Sequence, residues 1–241
     1  LEPDDVYFDL DCSMLNTNIT QKEIIDSVSM LKRNKASGED LVENDYIIDS
    51  LDLFLPFLEK LFNVVLDTGQ VPDSWLIGVI KPIYKGKGNS CDPGSYRPIT
   101  ILSCLGKLIT SILNCRLSGF LESNSILSQC QTGFRKGFST VDNMFVLNSV
   151  IEFLKNNKQK LYCAFIDFSK AFDNVWRIGL WSKMIAYGIQ GKFLTLVQNM
   201  YFNIKSCIAF NYDRSALFPS FTGVRQGENL SPLLFSIFIN D

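Results

Sequence analysis

The segment 161-LYCAFIDFSKAFD-173 decides the reading of this chain. Its first six residues, 161–166, are all apolar, which is the pattern of a short strand covered on both faces. Asp167 follows where that run stops. An unpaired carboxylate is costly to bury at such a place. A metal ion removes the cost and gives the carboxylate a chemical role. In two-metal phosphoryl transfer the cations activate an attacking hydroxyl and stabilise the leaving pyrophosphate. The same residues also fit a carboxylate that caps the following turn or pairs with Lys170, and the local pattern leaves these alternatives open.

Downstream stands Gly223-Val-Arg-Gln226-Gly227-Glu-Asn-Leu-Ser231-Pro232. Ser231 as N-cap and Pro232 at the first helical position announce a helix. That explains neither the glycines nor the Gln between them. Glycine lets a substrate approach the backbone closely, and Gln226 can bond to a sugar or a base. Upstream, Lys81, Lys85 and Lys87 surround a loop rich in Gly, Asn, Asp and Pro, followed by Tyr96-Arg97-Pro98-Ile99. Such cations can grip phosphate oxygens, arginine in bidentate fashion. Gln131-Thr-Gly-Phe-Arg135-Lys136-Gly-Phe-Ser-Thr140 is a basic, Gly-punctuated turn suited to a nucleic-acid backbone. Plain turns and solvated charges explain each of these stretches taken alone.

The remaining periodicity places helices and strands around these motifs. Thr20 and Glu23 form a capping box, and Ile24, Val28 and Leu31 recur at helical spacing in a helix that ends by Gly38. Residues 45–68 predict one or two helices, interrupted near Pro56 and stopped by Gly69 and Pro72. Residues 75–84 predict a strand, and residues 100–121 a buried helix. Another helix starts at Ser139, with Met144, Leu147, Ile151 and Leu154 on one face. Residues 176–202 predict two helices broken near Gly188 and Gly191, residues 204–210 and 216–222 two strands, and the run from Ser231 a last helix reaching Asp241. The order is helical first, then mixed, so the class is α+β.

Composition narrows the chemistry. The chain has 241 residues, 46% of them hydrophobic, enough for a sizeable core. It contains no histidine, which removes Ser-His-Asp and Cys-His catalysis. Seven cysteines (12, 91, 104, 115, 130, 163 and 207) are scattered without a C-x-x-C pair, arguing against zinc and for reduced thiols in an intracellular protein. No apolar run reaches membrane-spanning length. The N-terminus carries neither Met nor a targeting signal, so the chain reads as an excised piece. Net charge is −2, but unevenly spread. Residues 1–74 carry 5 basic against 16 acidic side chains, residues 75–140 carry 8 against 2, and residues 141–241 carry 10 against 7. A basic middle is what phosphate contact requires.

Taken in order, these blocks resemble the reverse transcriptases of LINE-type (non-long-terminal-repeat) retrotransposons. The resemblance also runs through Leu31–Asp40, Val71-Pro72-Asp-Ser-Trp75 and Ile80–Gly88, and covers residues 20–241. It implies a right-hand polymerase with residues 1–19 an acidic linker or tail, residues 20–160 mainly fingers, and residues 161–241 a partial palm with an antiparallel sheet packed on helices. By resemblance, Asp167 is the first metal-binding aspartate and Phe168 offers its backbone carbonyl to a metal. Phe172 is the steric gate against a ribose 2′-hydroxyl. Arg97 with Lys85 or Lys87 holds the triphosphate, and Gln226 and Gly227 hold the nucleotide's sugar and base. Arg135 and Lys136 touch nucleic acid, and Asp173 is structural, pairing with Lys170. The implied cofactor is Mg²⁺, two ions in the intact enzyme. The implied partners are an RNA template, a DNA primer and dNTPs, with no membrane, in nucleus or cytoplasm. The family's F/Y-A-D-D hairpin and thumb are expected beyond Asp241, and no endonuclease is visible upstream, so the chain alone is expected to be inactive. The alternative is a degenerate or domesticated remnant that binds nucleic acid without catalysis.

Overall fold

The computed structural model describes residues 10–211 and 213–240. Five helices come first: α1 (Ser13–Asn16), α2 (Gln21–Ser29), α3 (Asn44–Asp49), α4 (Leu51–Thr68) and α5 (Asp73–Leu76). A hairpin of β1 (Ile77–Tyr84) and β2 (Tyr96–Ile101) follows. Then come α6 (Cys104–Ser123), α7 (Thr140–Asn156), α8 (Arg177–Ala186) and α9 (Lys192–Phe202), and finally β3 (Lys205–Phe210), β4 (Asp213–Arg214), β5 (Phe218–Pro219) and α10 (Ser231–Ile239). The class is α+β, as expected. The sheet is mixed, however, not antiparallel. β1 pairs antiparallel with β2 but parallel with β3, and β4 and β5 pair antiparallel with β3. Four helices separate β1 from β3 beyond the hairpin, and a connection of that length permits a parallel neighbour.

Local signals explain most of the helices. Thr20 accepts from the Glu23 amide while Glu23 reaches back to the Thr20 amide, and this capping box starts α2. The helix ends at Ser29, earlier than the Gly38 limit. Between α3 and α4 the break falls at Ser50, not at Pro56, which lies inside α4. The missing amide of Pro56 would have bonded the carbonyl of Asp52 in the exposed first turn, where water can serve instead. Gly69 closes α4 in the left-handed conformation, with φ of 66°. Residues 96–101, of which 100 and 101 are expected to open a helix and 96–99 are assigned to no element by the sequence, form strand β2. The helix expected over 100–121 begins at Cys104, capped by Ser103. Ser231 is the first helical residue of α10, with Leu230 in the cap position.

The core lies among α2, α4, α6, α8, α9 and α10. Phe62, Leu108, Leu113, Leu117, Phe120, Leu180, Phe193, Leu196 and Leu234 are fully buried there, and each such side chain contributes about 1.5–3 kcal/mol of transfer free energy. Leu15 and Ile19 join this core, so residues 10–19 are part of the packed body and not the expected tail; residues 1–9 lie outside the described residues. Asn16 links the two halves of the chain, donating to the Gln190 carbonyl at 3.1 Å and accepting from the Phe193 amide at 3.0 Å.

Arg116 is buried in α6 and bonds Glu23 at 2.6 Å together with the carbonyls of Leu15, Thr17 and Asn18. Burial pushes the Glu23 carboxyl up, but hydrogen bonds from Arg116 and Thr20 and the Arg116 charge outweigh it and hold the group below the ordinary value. A depressed folded pKa contributes stability that is present above the unfolded value and lost as pH falls through the folded one. We expect the urea midpoint to drop as pH falls below about 4.3. Glu23→Gln should lower stability near neutrality and flatten that acid limb; an unchanged limb would remove Glu23 from the account.

Two expectations fail in the same region. Residues 161–166 form no ladder and lie exposed, with Tyr162, Phe165 and Ile166 each at 85%. No described strand lies beside them, and an apolar run acquires strand pairing only where a partner edge exists. Helix α7 starts at its Ser139–Asp142 capping box as expected, yet buries no residue. Of its expected apolar face, Met144 is 66% and Ile151 42% exposed. At the sheet's far end, strand character within 216–222 is confined to β5. Asp241 lies outside the described residues. No helix among the described residues is long and apolar enough to cross a membrane.

Candidate functional site

The turn between β5 and α10 is built by two glycines and a buried ion pair. Gly223 has φ of 81°, and a Cβ there would stand 2.7 Å from the carbonyl oxygens of Phe172 and Asp173. The Val224 amide donates to the Phe172 carbonyl at 2.8 Å and the Gly223 amide to the Val175 carbonyl at 2.9 Å. The turn is therefore seated on the segment that follows Asp167. Gly227 has φ of 104°, and its Cβ would meet the Thr100 carbonyl oxygen of β2 at 2.7 Å. Gly227→Ala should cost about 1–3 kcal/mol and push the turn off β2, measured by thermal melting. A neutral result would mean that the close approach is dispensable.

Beneath the turn, Arg225 donates to Glu228 at 2.9 Å and to the Trp75 carbonyl at 2.9 Å. The hydroxyl of Tyr201 also donates to Glu228, and Ser231 stands 3.1 Å from that hydroxyl. Arg225, Glu228 and Tyr201 are all buried. Burial and the neighbouring Glu228 charge push the Tyr201 hydroxyl far above its ordinary range. Arg177 grips the approach to the turn, donating to the carbonyls of Tyr201, Ser220, Thr222 and Gly223 at 2.8–3.0 Å. Burial lowers its pKa. Sequence reasoning missed this network. The i, i+3 spacing of Arg225 and Glu228 was the one visible signal; Tyr201 and Arg177 arrive from other helices.

A cleft of about 310 Å³ opens beside the turn and is lined by Gln226, Asp173, Arg177, Thr100, Pro98 and Ser206, among others. Gln226 and Asp173 thus share one cavity. Asp173 makes no ion pair with Lys170 among the described residues; the two are joined by the backbone of a turn, the Asp173 amide donating to the Lys170 carbonyl at 3.0 Å. Phe172 stacks on Phe235 of α10 at 5.3 Å and meets Phe134 edge-on at 6.2 Å, and Phe168 meets Phe235 at 6.2 Å. These rings hold the segment that carries Asp167 against the helix that the Gln226 turn starts. Asp167 itself is exposed and takes part in no hydrogen bond or ion pair among the described residues, so the turn-cap and Lys170 alternatives fail.

The basic residues expected to grip phosphate stand apart from that cleft. In the β1–β2 register Ile80 faces Thr100 and Pro82 faces Pro98, while Ile83 faces Arg97. Strand alternation therefore puts Arg97 on the sheet face opposite the cleft-lining Pro98 and Thr100. The ammonium group of Lys85 donates to the Gly94 carbonyl at 2.8 Å, inside the hairpin loop. Lys87 and Lys136 are exposed. Arg135 departs from its expected role: its guanidinium pairs with Glu122 at 2.7 and 2.8 Å and donates to the carbonyls of Ser128 and Gln131. Four of its donors are thereby engaged, and its side chain is only 8% exposed. It braces the turn. Among the described residues no group of three or more His, Cys, Asp or Glu side chains could hold a metal ion, and Asp167 alone does not make a two-metal site.

Comparison with known proteins adds the context. The sequence pattern of the family described as reverse transcriptase (RNA-dependent DNA polymerase) matches residues 83–241. The chain is 33% identical over 225 residues to the RNA-directed DNA polymerase from mobile element jockey of Drosophila melanogaster, covering 92% of this chain and 24% of that protein. It is 31% identical over 229 residues to the probable RNA-directed DNA polymerase from transposon BS of the same fly, again covering 92% of the chain and 24% of the relative. It is 28% identical over 182 residues to the Pol polyprotein from the type-2 retrotransposable element R2DM, with 75% and 17% covered. The chain thus spans about a quarter of the length of the first two relatives.

Proposed function

The chain belongs to the reverse transcriptase family, and from that premise we propose that it forms the nucleotide-gripping part of an RNA-directed DNA polymerase. In this reading it works within a longer protein to extend a DNA primer on an RNA template with dNTPs. Residues 20–160 serve mainly as fingers and residues 161–241 as part of the palm. The observation that carries the proposal is the seating of the Gly223–Gly227 turn. Its backbone rests on the carbonyls of Phe172 and Asp173 on one side and on Thr100 of β2 on the other. One short turn thereby ties the Asp167 segment, the Gln226 side chain and the β1–β2 hairpin together.

The residue roles follow from reach and freedom. Gln226 meets the incoming nucleotide's sugar and base, with the glycines admitting it closely. Lys87, exposed on the hairpin, contacts triphosphate, Lys85 does so on release from Gly94, and Arg97 joins them once its strand turns that face toward the nucleotide. Lys136 meets nucleic-acid backbone. Such catalysis consists of positioning and electrostatics, with little covalent work for the protein. Mg²⁺ is the divalent ion we propose, with Asp167 and the Phe168 carbonyl as this chain's contribution; the described residues do not by themselves make its site.

Phe172 supplies the sharpest functional test. Its ring is held between Phe134 and Phe235, a rigid wall of the kind that rejects an added hydroxyl. With this chain put in place of the matching quarter of the jockey polymerase, Phe172→Val is expected to raise ribonucleotide use relative to dNTPs at least tenfold. Unchanged sugar discrimination with intact dNTP incorporation would remove the gate assignment. A chimera that binds primer–template yet incorporates nothing would favour the second reading, a non-catalytic nucleic-acid-binding remnant. The isolated state of the Asp167 carboxylate is the observation on that side.

A further inference from the structure

We propose that the groove between α3 and α4 is a docking site for a basic amphipathic helix of a partner protein. The groove has a volume of about 470 Å³ and is lined by Tyr46, Ile47, Phe54, Phe57, Leu58 and Leu61, together with Val42 and Leu105. The two helices meet at Ser50 and leave this wedge between them. The lining is apolar yet open to solvent: Phe57 is 71%, Tyr46 62% and Phe54 51% exposed, and the neighbouring Leu53 and Val64 are 76% and 50% exposed. A contiguous apolar surface of this kind marks an interaction site far more often than do scattered apolar residues.

Helical spacing and charge specify the occupant. Phe54, Phe57, Leu58 and Leu61 stand at i, i+3, i+4 and i+7 along α4, facing the groove together. Phe54 to Leu61 covers about 10.5 Å of helix axis, the rise that also separates anchors i and i+7 on a helix laid into a groove. The surroundings are acidic. From residue 39 to residue 68 stand eight carboxylates and one basic residue, Lys60. Three of these charges are offset by ion pairs: Arg33 is shared by Asp45 and Asp49, Arg214 pairs with Glu39, and Lys192 with Asp67. Glu43, next to the lining residue Val42, and Asp52, in the first turn of α4, form no ion pair among the described residues. Carboxylates repel nucleic-acid phosphate and anionic lipid alike. A helix bearing Leu or Phe at i, i+4 and i+7 with lysines on its flanks satisfies both the groove and the field.

The probe is a fluorescein-labelled synthetic helix of about 18 residues with that pattern, compared with its scrambled isomer and with a version whose lysines are glutamates. Fluorescence anisotropy on the chain should give micromolar binding for the basic helix, at least tenfold weaker binding for both controls, and weakening with added salt. Phe54→Ser with Phe57→Ser should cost at least tenfold in affinity, and Glu43→Lys with Asp52→Lys should remove most of the salt dependence. These side chains are at the surface, so circular dichroism should show each variant folded. Phe145→Ser with Phe153→Ser on exposed α7 should change nothing. Equal binding of the scrambled peptide, or loss only through the α7 pair, overturns the proposal. Concentration-dependent dimerisation abolished by Phe57→Ser would reassign the groove to a second copy and overturn it equally.

Discussion

Replacing Asp167 by asparagine is expected to lower primer extension about 10²–10³-fold in a jockey polymerase carrying this chain in place of its matching quarter, without loss of fold or of template binding. Asparagine keeps the size and removes only the charge. Asp167 is exposed and makes no hydrogen bond or ion pair among the described residues, so the folded state loses nothing on its removal, and the stability change should stay within about 0.5 kcal/mol. That separation gives the experiment its force, because a fall in rate cannot be charged to unfolding. Loss of a carboxylate that acts only in the transition state lowers kcat and kcat/KM together. Single-turnover extension with saturating primer–template measures this directly. Retained extension would end the catalytic reading of the segment, and a loss confined to template affinity would turn it into a binding residue.

Glu228→Ala is the second large effect, expected to cost about 3–5 kcal/mol in stability. The Glu228 carboxylate receives Arg225, Tyr201 and Ser231, and it lies buried with its arginine. Removing it leaves a buried guanidinium whose Nε already lacks a partner, and the remaining neutral bond to Trp75 cannot offset that charge. Chemical denaturation should show the fall. The double variant Arg225→Met with Glu228→Leu sharpens the inference. Buried ion pairs are often replaceable by apolar pairs at little cost, so this variant should recover much of the stability. It should nevertheless lose nucleotide affinity, because Arg225 ties the turn that carries Gln226 to the Trp75 carbonyl at the foot of β1. Full affinity in a stable double variant would reduce the network to packing alone.

The comparison of sequence with structure turns on partners. Short-range chemistry was legible: the capping boxes at Thr20 and Ser139, the Gly69 stop and the helix break at Gly188 and Gly191 all occur where their residues predict. Each depends on contacts within a few positions of the chain. The family was legible too, because ordered blocks of Gly, Pro, Arg and Asp survive as spacing. The site was legible only as a set of names. Gln226 and Asp173 share a cleft, while strand alternation turns Arg97 away from it and Glu122 engages Arg135.

By itself, then, the sequence determined the α+β class, the capping-box helix starts, the Gly69 stop and membership of the reverse transcriptase family, all of which rest on local patterns. Tertiary structure alone decided the parallel β1–β3 pairing, the exposure of residues 161–166 and the Arg225–Glu228–Tyr201 network. The physical reason is that apolarity states what a segment can bury and charge states what it can bind, whereas the partner comes from residues far along the chain. Tyr201 stands 27 positions from the carboxylate that it meets, and no pattern of period two or 3.6 carries that distance.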